Sequence, residues 1–401
     1  MPTAHGLLAG VKVIDLSAYV SGPFAAMMLA DLGADVIKVE PPGGDPNRRI
    51  GRRSGDNTML FAATNHAKRS IVLDLKQPDD AAVLHGLIRW ADVMVENWRP
   101  GVADRLGLDD GSIDALNPKL VHINITGWGT TGPWANRSAF DGLLQSFSGV
   151  AWSAGTKVVP SILRFYLVDK VTGVFAAQSA LAGLVRVART GRGERIDVNM
   201  LDASAYFNFP DVFSERVLCD STDEVDPENA PTTKTLIRAA DGYFAIAPVN
   251  GAQIRSLCEA MERLDWLAEL KESGSFENLT ELMRSKLETV TPTLPVDYWV
   301  ELLARFDVPV APVLDLDHHL SHPQVLANQT YAETDHPGFG MHRVVHHPAR
   351  TRSDVRHAPV RSFPDLDADN IAVRELAASH GLQPPNTGVA PSESSEPKGN
   401  S

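Results

Sequence analysis

Five basic side chains in two short segments are the first candidates for binding chemistry: Lys68, Arg69 and Lys76 in NHAKRSIVLDLK, and Arg99 and Arg105 in ENWRPGVADRLGL. Both segments read as strand ends, where open α/β sheets take their ligands. Arginine grips phosphate oxygens in pairs and lysine supplies a point charge, so a gathered set suits a phosphorylated ligand; a scattered set is ordinary solvated charge. Asp169, in YLVDKVTGVFAAQSALAGL, stands just ahead of an apolar helical run, where a carboxylate can simply cap the helix for about 1 kcal/mol. The string GWGTTG, Gly127 to Gly132, satisfies G-x-G-x-x-G after a strand, but Pro133, Trp134 and Asn136 follow in a loop-like run, so it reads as a glycine-rich turn. The first β-α-β unit likewise ends in an acid, Glu40, yet its turn SAYVSGP lacks the glycines that admit a pyrophosphate. His318, His319, His322, His336, His342, His346 and His347 crowd a segment broken by Pro323, Pro337, Gly338, Gly340 and Pro348. Without a ligand motif they read as solvated loop residues, and no metal site is expected.

These residues need elements to hold them. VKVIDL (Val11 to Leu16), a helix-like SGPFAAMMLADLG and ADVIKVE (Ala34 to Glu40) read as β-α-β with parallel strands. Further strands are predicted over Ser70–Leu73, Val93–Glu96 and Leu120–Thr126, with helical stretches at Pro78–Trp90 and Ile113–Asn117, an alternation that suggests a doubly wound α/β domain. A long buried helix is predicted over Val171–Arg189, stopped by the glycines of TGRG, and ERIDVNM reads as the next strand. Asp220–Thr233 is polar, acidic and broken by prolines, so it reads as a boundary. Beyond it, a strand in DGYFAIAPV (Asp241 to Val249), helices over Ala252–Glu272 and Leu279–Glu288, and VPVAPV (Val308 to Val313) outline a compact α+β insert. The organisation expected is a large α/β domain begun by residues 1–219, a small domain over 220–315, a return segment over 316–382 and a disordered tail over 383–401.

With 401 residues and 43% apolar content the chain can bury two or three domains' worth of core. Lys and Arg total 37 against 50 for Asp and Glu, a net charge of -13, so neither nucleic acid nor an anionic membrane is an expected partner. Cys219 and Cys258 fit no disulfide scaffold or zinc spacing, which suits a reducing cytoplasm. The start MPTAHGLLAGVKVIDLS has no secretory pattern, and uncharged stretches such as Leu16–Ala30 and Val171–Val185 fall short of a bilayer span, so no transmembrane helix is expected.

LAGVKVIDLS, SGPFAAMMLADLGADVIKVEPPGGD, NHAKRSIVLDLK, ADVMVENWRPGVADRLGL, ITGWGTTGP, VDKVTG and RTGRGERIDVNMLDA occur together and in this order. In that combination the chain resembles the family III CoA-transferases, which include formyl-CoA transferase and carnitine CoA-transferase and share their fold with the α-methylacyl-CoA racemases. The likeness is strong over Leu8–Ala203, weaker through the small domain and poor at the end. It implies a Rossmann-like doubly wound large domain, a smaller α+β domain and a homodimer whose chains interlock, the large domain being made from both chain ends. It also implies that Asp169 attacks an acyl thioester to give an aspartyl anhydride and then an aspartyl thioester, with no ATP or metal. CoA, a substrate and not a resident cofactor, is implied to lie along Val20 and Ser21, Leu73, Asp74, Leu75 and Lys76, Asn97, Trp98 and Arg99, Arg105, and Arg137, Ser138, Ala139 and Phe140. Asp141 matches an acid that helps position the acyl group, and a free carboxylic acid is the acceptor.

The chain also departs from that pattern. Pro41 stands where formyl-CoA transferase has an arginine, only Asn250 and Gly251 answer to a glycine-rich loop of the small domain, and FPDLDADN (Phe363 to Asn370) replaces a P-x-L-G-E-H-T pattern. A racemase would need a histidine beside Asp141 for proton transfer; Phe140 holds that place and cannot transfer a proton. CoA transfer is therefore the favoured reading, with α-methylacyl-CoA epimerisation and a non-catalytic CoA-binding protein as the rivals.

Overall fold

Adjacent residues of a strand face opposite sides, and the apolar runs near the start of this chain are buried on both. The computed structural model describes residues 6–156, 158–213, 216–220, 236–274, 276–349 and 360–381. In chain order, the elements used below are β1 (Lys12–Asp15), α1 (Ser21–Asp31), β2 (Asp35–Glu40), β3 (Arg69–Val72), α2 (Pro78–Trp90), β4 (Val93–Glu96) and β5 (Val121–Thr126). They continue with α3 (Asp141–Phe147), α4 (Leu167–Thr190), β6 (Glu194–Asn199), β7 (Leu236–Arg238), β8 (Tyr243–Ile246), α5 (Gly251–Ala260), β9 (Val310–Pro312) and α6 (Asn370–Ser379). The expected tail over 383–401 lies outside the described residues, as does all of the expected boundary loop after Asp220.

The chain divides into two compact units, one of Met1–Ala139, Asp169–Met200 and Glu333–Ser401, the other of Phe140–Val168 and Leu201–Ala332. In the first unit a six-stranded parallel sheet runs in the order β3-β2-β1-β4-β5-β6. Its register pairs Val13 with Val36 and Val93, and Ile14 with Ile37 and Met94. The pleat sorts these rows: Ile14, Ile37, Ile71 and Met94 pack with Leu84, Leu87 and Ile88 of α2 and Val373 and Ala377 of α6. Val13, Val36, Val93, Val121 and Ile123 pack on the other face with Ala25, Ala26 and Leu29 of α1 and Ala176, Ala177 and Ala180 of α4.

An edge strand exposes unpaired backbone donors that invite a foreign strand. On β3 these are taken up by the FPDLDADN stretch: the Val72 N–H donates to Asp367 Oδ1 (2.7 Å) and the Ser70 N–H to Asp369 Oδ2 (2.9 Å). The departure from the family pattern here is thus a brace on the sheet edge.

In the second unit β7, β8 and β9 form an antiparallel sheet in the order β9-β8-β7, and Ile237, Phe244, Leu257, Trp266, Leu287, Trp299 and Leu303 build its core. The single helix expected over Ala252–Glu272 is two, Gly251–Ala260 and Trp266–Lys271. Between them Glu262 turns left-handed at φ 54° and the Arg263 guanidinium stacks on Trp266, so the chain cannot continue as one helix. Asn250 and Gly251 open α5, where Asn250 Oδ1 accepts from the Ala252 and Gln253 N–H groups (3.1 and 3.0 Å). In this chain that pair is a helix cap.

Candidate active site

The strand order reverses direction between β1 and β4, and in open parallel sheets ligands settle outside the carboxyl ends at such a point. Two connections leave side by side there, Ser17–Val20 after β1 and Asn97–Arg99 after β4. Asn97 ties them together: its Oδ1 accepts from the Ala18 N–H (2.9 Å) and its Nδ2 donates to the Ala18 carbonyl (2.7 Å). Val20 and Ser21 are buried, whereas Arg99 is exposed and donates to Ser138 Oγ (2.9 Å). The Ser138 carbonyl accepts from Trp128 Nε1 (3.2 Å), so the loop after β5 is drawn toward the loop after β4. Gly129 and Gly132 have φ of 94° and 89° there, Trp128 meets Trp134 edge-to-face, and Arg137 lies 3.9 Å over the Trp134 ring. GWGTTG is a turn, as its sequence context indicates.

Beneath the β1 connection lies a group of buried charges of which sequence reading singled out Lys68 alone, and for a different role. Lys38 stands 3.0 Å from Asp45 and 3.7 Å from Asp15, and Lys68 stands 2.8 Å from Asp15, all with side chains essentially without exposure. Burial would raise Asp15, but the Lys38 and Lys68 ammoniums outweigh it and hold the carboxyl at about 2. Burial would also lower Lys38; Asp15 and Asp45 keep it above the ordinary lysine value. For Lys68 burial wins, opposed by Asp15 and aided by the like charge of Lys38, and the ammonium is pushed down to about 8. A charge placed inside an apolar strand, as Asp15 is in VKVIDL and Lys38 in ADVIKVE, was the available signal.

This overturns part of the basic-cluster reading. Lys68 is spent inside the fold, and Arg69 pairs with Asp35 at 2.7 Å, at the opposite end of β2 from Glu40. Lys76, Arg99 and Arg105 follow the carboxyl ends of β3 and β4 and are exposed. Glu40 is not placed to meet a ribose, for it is buried and gripped by Arg48 at 2.7 and 2.8 Å. Leu73, Asp74, Leu75 and Lys76 extend from β3, two strands away from β1 at the sheet edge.

Asp169 is the third residue of α4, inside its first turn and not the residue preceding it, so it is not the N-cap. Two parallel neighbours, β5 and β6, flank this helix in sequence, and a helix on such a crossover starts at the carboxyl edge of the sheet. Gly173, Ala176, Ala180 and Gly183 continue the line of Asp169 along one helical face. Small residues let this face come close: a methyl on Gly183 would strike Val121, and one on Gly173 would meet the Ser21 carbonyl oxygen. Asp169 is half-buried, one turn before the glycine that abuts the start of α1. By length and composition this helix could cross a membrane, but here its small face packs on the sheet.

Phe140 and Asp141 open the second unit. Asp141 is buried as the first residue of α3, and its Oδ2 accepts from Gln145 Nε2 (2.6 Å); Phe140 is 54% exposed. The histidine segment departs from its loop reading: His318 and His319 lie in a helix over Leu316–Ser321, His342 opens a strand over His342–Val345, and His336 is buried and stacks on Phe363 at 4.2 Å. Among the described residues no group of three or more His, Cys, Asp or Glu side chains is placed to hold a metal ion.

A parallel sheet that opens its carboxyl edge at the reversal, with an acid carried to that edge by the next crossover helix, defines an α/β enzyme of the ligand-at-the-strand-ends class. The family model of CoA-transferase family III matches residues 8–370. This chain belongs to that family and is a CoA-transferase. It is similar to the acetyl-CoA:oxalate CoA-transferase of Acetobacter aceti (32% identity, covering 80% of this chain and 84% of that one). It is also similar to the succinate–glutarate CoA-transferase of Agrobacterium fabrum (38% identity, 65% and 68%) and the human succinyl-CoA:glutarate CoA-transferase (31%, 83% and 77%). Among solved structures it resembles a CaiB/BaiF family protein from Brucella suis (TM-score 0.77, 28% identity, 93% of this chain and 100% of that one). A hypothetical protein from Mycobacterium tuberculosis matches at TM-score 0.79 with 26% identity, over 93% of this chain and 100% of that one.

Proposed function

We propose that the enzyme moves CoA from an acyl-CoA to a free carboxylic acid through covalent intermediates on Asp169. The supporting observation is the placement of this carboxylate in the first turn of α4, in line with the glycine that abuts Ser21. An Asp169 oxygen adds to the thioester carbonyl and the C–S bond breaks, giving a mixed anhydride and CoA thiolate. The thiolate adds to the aspartyl carbonyl, releasing the donor acid and leaving an aspartyl thioester. The acceptor carboxylate displaces the thiolate to form a second anhydride, and the thiolate then takes the acceptor acyl group, restoring Asp169. Each exchange trades an anhydride for a thioester of similar energy, so no external energy source is needed.

The CoA portion is assigned to Val20, Ser21, the Leu73–Lys76 and Asn97–Arg99 loops, Arg105 and Arg137–Phe140 on a Rossmann-like sheet, and Asp141 to placing the acyl group. Phe140 has no proton to give, which favours transfer over epimerisation. The relatives are named for oxalate, succinate and glutarate, so short dicarboxylic acids are the proposed acceptors and succinyl-CoA or acetyl-CoA the donors. A homodimer is supported by the second unit's exposed aromatics Phe147, Phe165, Tyr206, Phe207 and Phe209, and a monomeric mass in solution would contradict it. The free thiols Cys219 and Cys258 suit a reducing cytoplasm.

Hydroxylamine or borohydride trapping should mark Asp169 only when acyl-CoA is present, and Asp169→Asn should bind CoA without exchanging it. An Asp169→Asn enzyme that still exchanges CoA would overturn the mechanism. Exchange of the α-hydrogen in heavy water, without CoA exchange, would assign the chain to epimerisation instead.

A further inference from the structure

Loops ordinarily leave their backbone groups to water. The connection from β1 to α1 does not, because every backbone N–H and carbonyl of Ser17, Ala18 and Tyr19 is met by a side chain. The Ser17 N–H donates to Asp15 Oδ1 (3.0 Å), and the Ser17 carbonyl accepts from Lys38 Nζ (2.9 Å). Asn97 serves both groups of Ala18 (2.9 and 2.7 Å). The Tyr19 N–H donates to Asp45 Oδ1 (3.3 Å), and the Tyr19 carbonyl accepts from Asn47 Nδ2 (2.7 Å).

These partners come from β1, from β2, from the turn after β2 and from the exit of β4, and Asp15, Lys38, Asp45 and Asn47 are each at most 2% exposed. Tyr19 sits at φ 66°, a left-handed conformation that a tyrosine takes only when its surroundings impose it. Desolvating so many polar and charged groups merely to route three residues between a strand and a helix is costly. A surface that must already be in its bound shape gains from that cost, because the ligand then has no loop to order.

We propose that Asp45, Asn47 and Asn97 are positioning residues that hold Ser17–Tyr19 as a preformed wall for the CoA portion of the donor. On this account the Asn97 side chain, bonded to both backbone groups of Ala18, acts through that residue. The inference rests on the CoA assignment above, since Val20 and Ser21 continue directly from this wall.

The test is Asn47→Asp, which keeps the side-chain shape but turns a donor into an acceptor against the Tyr19 carbonyl. Asn47→Ala removes the same bond without adding charge and serves if the aspartate variant does not fold. The KM for acyl-CoA and the Kd for CoA should rise about tenfold, the scale of one lost buried hydrogen bond, while kcat and the KM for the free acid hold. A folded variant with unchanged CoA affinity, or one that loses kcat alone, overturns the proposal. Wild-type enzyme that exchanges CoA while both variants match it would sink only this inference; wild-type enzyme that exchanges no CoA would sink the assignment beneath it.

Discussion

A β-carbon added to Gly173 would stand 2.8 Å from the Ser21 carbonyl oxygen and 3.0 Å from Phe24 Cδ1. The helix that carries Asp169 thus touches the first turn of α1 at a point where only hydrogen fits. Because Asp169 lies one turn earlier on the same face, any retreat of α4 shifts the carboxylate with it.

Gly173→Ala therefore tests placement. Overpacking at such a contact costs about 1–3 kcal/mol of stability, and displacement of a reacting group by about 1 Å can lower turnover on the order of a hundredfold. We expect kcat to fall far more than CoA affinity, measured by steady-state kinetics beside calorimetric CoA binding. Gly183→Ala, which strains the same helix against Val121 ten residues further on, should destabilise without an equal loss of kcat. Equal kinetic losses in the two variants would argue that the contact at Ser21 has no special part.

We expect Lys68 to set an alkaline limit for the enzyme. Its ammonium donates to Asp15, to the Pro23 carbonyl and to Asn65 Oδ1, each at 2.8 Å, with Lys38 facing it across Asp15. Three N–H groups meet three acceptors; a neutral amine has only two. Loss of the proton near pH 8 strands one acceptor and leaves Lys38 as the one ammonium of the pair beside Asp15. The sign for folding is opposite, because a lysine held below its ordinary 10.5 makes the native state shed its proton first, so this group adds stability as pH rises from about 8 to 10.5. We expect the KM for acyl-CoA to climb above pH 8 without loss of fold, and Lys68→Met to show a raised KM with that limb removed. The same alkaline limb in Lys68→Met would assign the titration elsewhere.

The sheet was readable because strands buried on both faces are near-continuous apolar runs. Val93–Glu96 and Pro78–Trp90 fall where their patterns place them, and the other sheet strands agree to within a residue or two at either end. The proposed CoA and Asp169 assignments rest on motif order, not on any local pattern. Asp15, Lys38, Asp45 and Lys68 are scattered over more than fifty positions; Asp15 and Lys38 stand out as charges inside apolar strands and are paired by the parallel register, but Asp45 and Lys68 lie outside the strands and carry no such local signal. The same blindness put Lys68 and Arg69 in a ligand-binding set. On position alone a cap was the competing reading for Asp169, because the helix is predicted to begin at Val171; Leu167 and Val168 already belong to it, and Val168 is fully buried.

Gln145 is the last side chain for which the geometry dictates an outcome. It is fully buried; its Nε2 donates to Asp141 Oδ2 (2.6 Å) and the Phe165 carbonyl (3.1 Å), and its Oε1 accepts from the Leu163 N–H (2.9 Å). One amide therefore fixes the Asp141 carboxylate and the segment that runs into Asp169 four residues later. Gln145→Met should destabilise the fold by about 1–3 kcal/mol, since buried carbonyl and carboxylate groups lose their donor. Gln145→Glu is more telling, because it sets a second carboxyl against Asp141 and two such groups must share a proton. If Asp141 places the acyl group, this variant gains a new ionisation in its kcat/KM profile above the ordinary carboxylate range, and Asp141→Asn added to it removes that ionisation. A Gln145→Glu enzyme that is merely less stable, with the wild-type pH profile, would show that Asp141 takes no part in handling the substrate.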